Sequence, residues 1–259
     1  VMVRTQKRKL VHLAILSACL LITAFWVTQT SRARSEAKRQ LRHAGTPTPS
    51  ESVAHVTTND TSRPRAIAAY GKLPLSFEIN KGQTNDQVKF LSRGSGYNLF
   101  LTSTEAVLSL HQPGTDDKAL SALRIKLVAA NPHAKIEGLD QLPGKSSYFI
   151  GKNPRNWHTD VSTFERVYYH EIYKGIDLVY YGNQRKLEND FVMSPGADAS
   201  TIALAFDGAK KIAIDKDANL LLQIGDGQVQ LQKPVIYQLV DGIRHEVSGT
   251  YVMKSSGVV

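Results

Sequence analysis

Polar and apolar residues alternate with a period of two through most of residues 70–259. Leu123, Ile125 and Leu127 interleave with Ala122, Arg124 and Lys126, which sets one apolar row and one wet row on a pleated strand. The same spacing recurs in Tyr97-Leu99-Leu101, Ala106-Leu108-Leu110, Ile176-Leu178-Tyr180, Ile202-Leu204-Phe206, Leu220-Leu222-Ile224 and Ile243-His245-Val247. Turn signals separate these runs, among them RGSG at 93–96, DKDAN at 215–219, GDG at 225–227 and Asp241-Gly242. No stretch of this region holds a 3.6 period for three turns, so the crossover helices of a parallel sheet are missing. The pattern predicts an all-β, antiparallel sandwich or barrel-like domain over residues 70–259, as one unit rather than two joined near Pro143 or Pro154.

Ahead of it the pattern changes twice. Residues 10–28, bounded by Leu10 and Thr28, form a run of 19 residues without Asp, Glu, Lys or Arg. As a helix this run reaches about 28 Å, the thickness of a bilayer's hydrocarbon core. A basic cap over residues 1–9 precedes it, and Trp26 suits the interface. The run is expected to be a signal anchor that crosses the membrane as a helix. Two alternatives stand beside it: cleavage after the small residues near 33–37, and acylation at Cys19, where Leu16-Ser17-Ala18-Cys19 has the form of a lipobox. From residue 29 to 69 the chain is rich in Ser, Thr, Pro, Ala and Arg. Such a segment buries too little to offset its ordering entropy and is read as a disordered linker.

Charge sharpens this division. The chain carries a formal +9, but residues 1–65 alone hold eleven basic side chains against three acidic ones. The β region is nearly neutral, which removes the electrostatic steering a nucleic-acid partner would need. The single Cys19 lies outside it, so thiol chemistry and disulfides have no place there.

Candidate chemistry is sparse. No nucleophile elbow, phosphate loop or zinc-protease motif is present, and the eight His are never closer than twelve residues apart. Neither a cofactor nor a metal is implied. Asp215, Asp217 and Asn219 alternate like calcium ligands but lack the glycine and distal glutamate of such a loop, so a hairpin turn is expected. Glu188 and Asp190 share one strand face and are the carboxylates a glycosidase would use, with a solvated strand face as the plainer alternative. Trp157, Tyr180 and Tyr181 lead an aromatic-rich window that suits either core packing or a ligand patch for glycan or protein.

Several segments resemble a known family. These are LSFEINKGQT at 75–84, VKFLSRG at 88–94, LPGK at 142–145, YFIG at 148–151, GIDLVYYG at 175–182, PGAD at 195–198 and KPVIYQ at 233–238. Together they resemble an uncharacterised β domain of bacterial exported proteins that commonly stands before SBBP repeats, the seven-bladed β-propeller repeats. The 259 residues hold no such repeat. The resemblance implies no catalytic residue. The expected function is that of a non-enzymatic extracytoplasmic β module, a binding or scaffold element. Its partners are the membrane, through the N-terminal segment, and an unknown protein or glycan, with no nucleic acid. A carbohydrate-active hydrolase is the alternative. Its expected place is the bacterial cell envelope, on a single inner-membrane span or secreted after cleavage.

Overall fold

The computed structural model describes residues 12–21 by backbone and pairing, and residues 75–94, 96–111, 121–183, 186–225, 227–254 and 257–259 in full. Sixteen strands form one antiparallel sheet that curls into a half-barrel. In chain order they are β1 (His12–Leu21), β2 (Phe77–Ile79), β3 (Phe90–Gly94), β4 (Tyr97–Leu101), β5 (Glu105–Leu110), β6 (Ser121–Leu127), β7 (Ile136–Phe149) and β8 (Trp157–Tyr173). There follow β9 (Ile176–Asn183), β10 (Lys186–Met193), β11 (Leu204–Asp207), β12 (Lys211–Ile214), β13 (Leu220–Ile224), β14 (Gly227–Leu231), β15 (Val235–Val240) and β16 (Ile243–Val247). The path through the sheet is β11-β6-β5-β4-β3-β2-β8-β9-β10-β1-β14-β13-β12, with β7 on β8, β15 on β1 and β16 on β15. The described residues are all-β, as the period of two predicts.

Tight turns give the meanders, and the apolar rows give the core. Register sets Leu99 opposite Leu108, and Leu108 opposite Leu123, and all three are fully buried. Each such side chain removed from water contributes about 1.5–3 kcal/mol. The rows of β9 (Ile176, Leu178, Tyr180), β10 (Leu187, Phe191, Met193) and β13–β14 (Leu220, Leu222, Ile224, Val229, Leu231) join the same cluster. One expected row departs from this pattern. Ile243, His245 and Val247 are all exposed, because β16 pairs only with β15 at the outer end of a hairpin. Alternation marks a two-faced strand, but it does not say whether anything covers either face.

Strand β8 organises the centre. Phe164 pairs with Gln141 of β7 and Phe77 of β2, while Arg166 pairs with Leu139 of β7 and Tyr181 of β9. A strand has two edges, so β7 holds one and β2 and β9 share the other, end to end. Their junction is close: a Cβ added at Gly182 would meet the Leu75 Cβ at 2.5 Å. Pro143 does not divide the domain. It falls in β7 where the register to β8 shifts between Gln141 and Lys145, an edge position at which a missing N–H costs no ladder bond.

The expected membrane helix is not confirmed over its described part. His12–Leu21 runs as strand β1, with β10 on one edge and β14 and β15 on the other. A charge-free run has no wet face, so its periodicity cannot separate a helix from a strand flanked on both edges. The remainder of residues 10–28, the basic cap and the linker lie outside the described residues. Among those described, no helix is long and apolar enough to cross a membrane.

Candidate functional site

The tip of the β7–β8 hairpin carries the exposed aromatic residues. The last cross-strand pairs are Tyr148 with His158 and Phe149 with Trp157. Beyond them the chain turns through Gly151, at φ +67°, into one short 3-10 turn, Pro154–Asn156. The Asn153 side chain caps that turn by accepting from the Arg155 N–H at 3.1 Å, and Pro154 supplies the fixed φ of a first helical position. The Trp157 indole N–H donates to the Gly151 carbonyl at 3.2 Å, which ties the ring to the turn. Phe149 meets Trp157 edge to face, with centroids 5.2 Å apart and planes at 84°. Both remain open to solvent: Phe149 is 65% exposed, Ile150 45% and Trp157 39%. Lys152 and Arg155 flank them, and no carboxylate side chain occurs from residue 149 to 159. Three large apolar side chains at a tip contribute nothing to the core, and such patches mark contact surfaces.

The other two aromatic candidates do not join this patch. Tyr180 faces the core, packs its ring edge-on against Tyr169 at 5.9 Å, and has its phenol pushed up by burial. Tyr181, half-buried on the opposite face, donates to Asp190 Oδ1 at 3.1 Å. They pair with Val167 and Arg166, nine or ten residues along β8 from Trp157, or about 30 Å away.

Glu188 and Asp190 stand side by side on β10 rather than facing each other across a gap. Asn183 Nδ2 donates to Glu188 Oε1 at 3.0 Å, and Tyr181 engages Asp190. Two clefts are described elsewhere. One, of about 390 Å³, is lined by Asn80, Asp86, Lys89 and Ser103, the other, of about 440 Å³, by Asn131, Tyr173, Lys174 and Thr201. Neither is lined by Glu188 or Asp190. The Asp215 carboxylate is taken up by its own turn. It accepts from the Asp217 and Asn219 N–H groups at 2.8 Å and from Asn219 Nδ2 at 3.0 Å, and the Asn219 hydrogen bonds hold it below the usual carboxylate range. Among the described residues no group of three or more His, Cys, Asp or Glu could hold a metal ion.

One polar cluster beside the tip has no signal in the sequence, because its members come from three strands. Glu78 on β2 is 6% exposed. Its Oε1 accepts from Arg93 Nη1 at 2.9 Å, its Oε2 accepts from the Tyr148 hydroxyl, and Arg93 Nη2 donates to the same hydroxyl at 2.7 Å. Burial first, and then Glu78, raises the Tyr148 phenol above its ordinary value. The three groups engage one another, which ties the end of β7 to β2 and β3, while the Arg93 side chain stays half exposed. Residues 80–84, NKGQT, brace the same end. Asn80 Nδ2 donates to the Asn85 and Val88 carbonyls at 2.9 Å, its Oδ1 accepts from the Gly82 N–H at 3.0 Å, and Lys81 Nζ reaches the Asp160 carbonyl at 3.4 Å. The Asn80 bonds close the 80–88 loop on itself, and of these contacts the Lys81 one reaches the hairpin whose tip is exposed.

The model of a family described as a domain of unknown function, DUF7948, matches residues 77–259. Comparison with the curated proteins and with the solved structures returns no match.

Proposed function

The chain belongs to the DUF7948 family, and from there we propose that its β domain is a non-enzymatic, extracytoplasmic glycan-binding module whose contact surface is the Phe149–Ile150–Trp157 tip. The carrying observation is that Phe149 and Trp157 pair edge to face while staying exposed, on a hairpin braced behind by Glu78, Arg93 and Tyr148. The C–H face of a sugar ring packs on such rings without charge complementarity, which fits the near-neutral domain. The exposed Asn156 and Arg155 supply polar groups for hydroxyls at the rim. Placement outside the bacterial inner membrane draws support from the basic cap, the apolar run over residues 10–28 and the resemblance to exported domains that precede SBBP repeats.

The test is binding of the full chain to cell-wall and capsular polysaccharides, measured by sedimentation with insoluble polymers and by calorimetry with soluble ones. Trp157→Ala and Phe149→Ala are expected to weaken binding at least tenfold, while Tyr181→Phe leaves it unchanged. Equal binding by all four proteins, or none by the wild type, overturns the assignment. The hydrolase alternative is checked in the same samples: release of reducing ends that disappears in Glu188→Gln would replace binding by catalysis.

A further inference from the structure

The two halves of the core are joined by a strand whose sequence is also the most apolar stretch of the chain. Strand β10 gives one edge to β9 and the other to β1, while β14 and β15 meet β1 from the far side. Without β1, an eight-residue edge carrying the buried Leu187, Phe191 and Met193 would lie open. Long apolar edges of that kind are the ones proteins cover. Leu220, Leu222, Val229 and Leu231 of β13 and β14 belong to the same core cluster as those β10 residues, so the gap runs through one core, not between two.

The register suits the occupant. Leu16 lies between Phe191 and Ile236, and Leu20 between Leu187 and Leu231, so these positions continue apolar rows on both sides. The small Ser17 and Cys19 lie in register with Asp190 and Glu188, so the rows of carboxylates and of small residues coincide. A strand hydrogen-bonded along both edges needs no charge, and residues 10–28 have none.

We propose that the gap between β10 and β14–β15 is a strand-acceptor site and that its occupant is the chain's own His12–Leu21, in cis. The residues that close the sheet are the residues of the apolar N-terminal run. In any one molecule they either complete the β domain or cross a bilayer, and the domain retains its closing strand only while the run stays out of the membrane. The glycan reading plays no part in this assignment, and its failure would leave the slot untouched.

Cys19 is the chain's only cysteine and pairs in register with Glu188, so a second thiol introduced by Glu188→Cys reads the slot directly. Antiparallel partners have Cα atoms about 4.5–5.5 Å apart, within disulfide range. The full-length Glu188→Cys chain, oxidised and mapped by mass spectrometry, is expected to form an intramolecular bond between Cys19 and the introduced thiol in most soluble molecules. Asn189→Cys, one residue out of register, should cross-link at least fivefold less. A disulfide-linked dimer would give the slot to a second copy, and equal cross-linking by the two variants would remove the register. Either overturns the proposal. Should Glu188→Cys fail to fold, Ser17→Cys with Val235→Cys in a Cys19→Ala chain reads the β15 edge instead. No intramolecular bond in a folded chain likewise overturns it.

Discussion

Glu78 shows what a buried carboxylate requires of its neighbours. Burial of an ion is costly unless its oxygens are engaged, and here Arg93 and Tyr148 engage both. Arg93→Ala leaves the carboxylate with the phenol alone and is expected to cost about 1–3 kcal/mol, whereas Tyr148→Phe, which removes one donor, costs about 1 kcal/mol. Urea melts of the full chain give both numbers, and a neutral Arg93→Ala would mean that solvent already serves Glu78. The residue scale is also where the sequence is most unevenly legible. Tyr180 falls in phase with Ile176 and Leu178, so its inward position follows from alternation alone, and so does the opposite face of Tyr181. Trp157 does not follow that way. It shares the parity of the buried Val161 and Val167, yet Asp160, at φ +55°, shifts the strand and the ring emerges at the tip. The Glu78 cluster is invisible in sequence because its partners lie 15 and 70 residues away.

Strand β8 runs for 17 residues and stays in the sheet only by bulging. Its register to β9 shifts between Tyr169 and Tyr173, where Glu171 takes φ +46°. Asp177, from the motif segment 175–182, holds this bulge. Its Oδ1 accepts from the Glu171 N–H and its Oδ2 from the Tyr168 hydroxyl, each at 2.7 Å. The left-handed conformation costs a non-glycine residue roughly 1–2 kcal/mol, partly offset in Gly by the larger entropy of the unfolded chain. Glu171→Gly therefore raises stability by on the order of 0.5–1 kcal/mol, and Asp177→Ala, which strands the Glu171 N–H, lowers it by about 1–3 kcal/mol. Thermal melts of the two variants should move in opposite directions, and a Glu171→Gly protein that melts lower would show that the side chain, not the strain, matters. At this scale the strands were legible because turn residues punctuate a period of two. β1 was not, since a run of 19 residues without charge carries no face to read. Nor was the division of β8's second edge between β2 and β9, which depends on pairings far apart in sequence.

Across the whole molecule, the charge count by itself separates a basic N-terminal part from a near-neutral domain, while the closure of the sheet depends on long-range register. One property belongs to the domain as a unit, its response to alkali. Tyr97, Tyr169, Tyr173 and Tyr180 all lie in the core cluster. Burial pushes Tyr97 and Tyr173 up to about 12, drives Tyr180 higher still and holds Tyr169 well above its ordinary value. An unfolded tyrosine titrates near 10. Below pH 10 both states hold the proton and the contribution is complete. Above it the unfolded chain ionises first, so stability falls as pH rises from 10 through 12. At about 1.4 kcal/mol per pH unit, Tyr97 withdraws on the order of 2 kcal/mol by pH 12 and Tyr173, nearer to solvent screening, somewhat less; together they remove on the order of 4 kcal/mol, a large share of the roughly 5–15 kcal/mol that holds a typical domain. Denaturant melts from pH 7 to 12, followed alongside tyrosinate absorbance, should show a plateau and then a cooperative loss in which phenol ionisation and unfolding coincide. Tyr97→Phe supplies the control. Its hydroxyl is buried without a hydrogen-bond partner among the described residues, so its removal is expected to be neutral or stabilising at pH 7 and to shift the alkaline midpoint upward. Stability that holds level to pH 12, or tyrosines that titrate near 10 while the fold persists, would mean that these rings reach water.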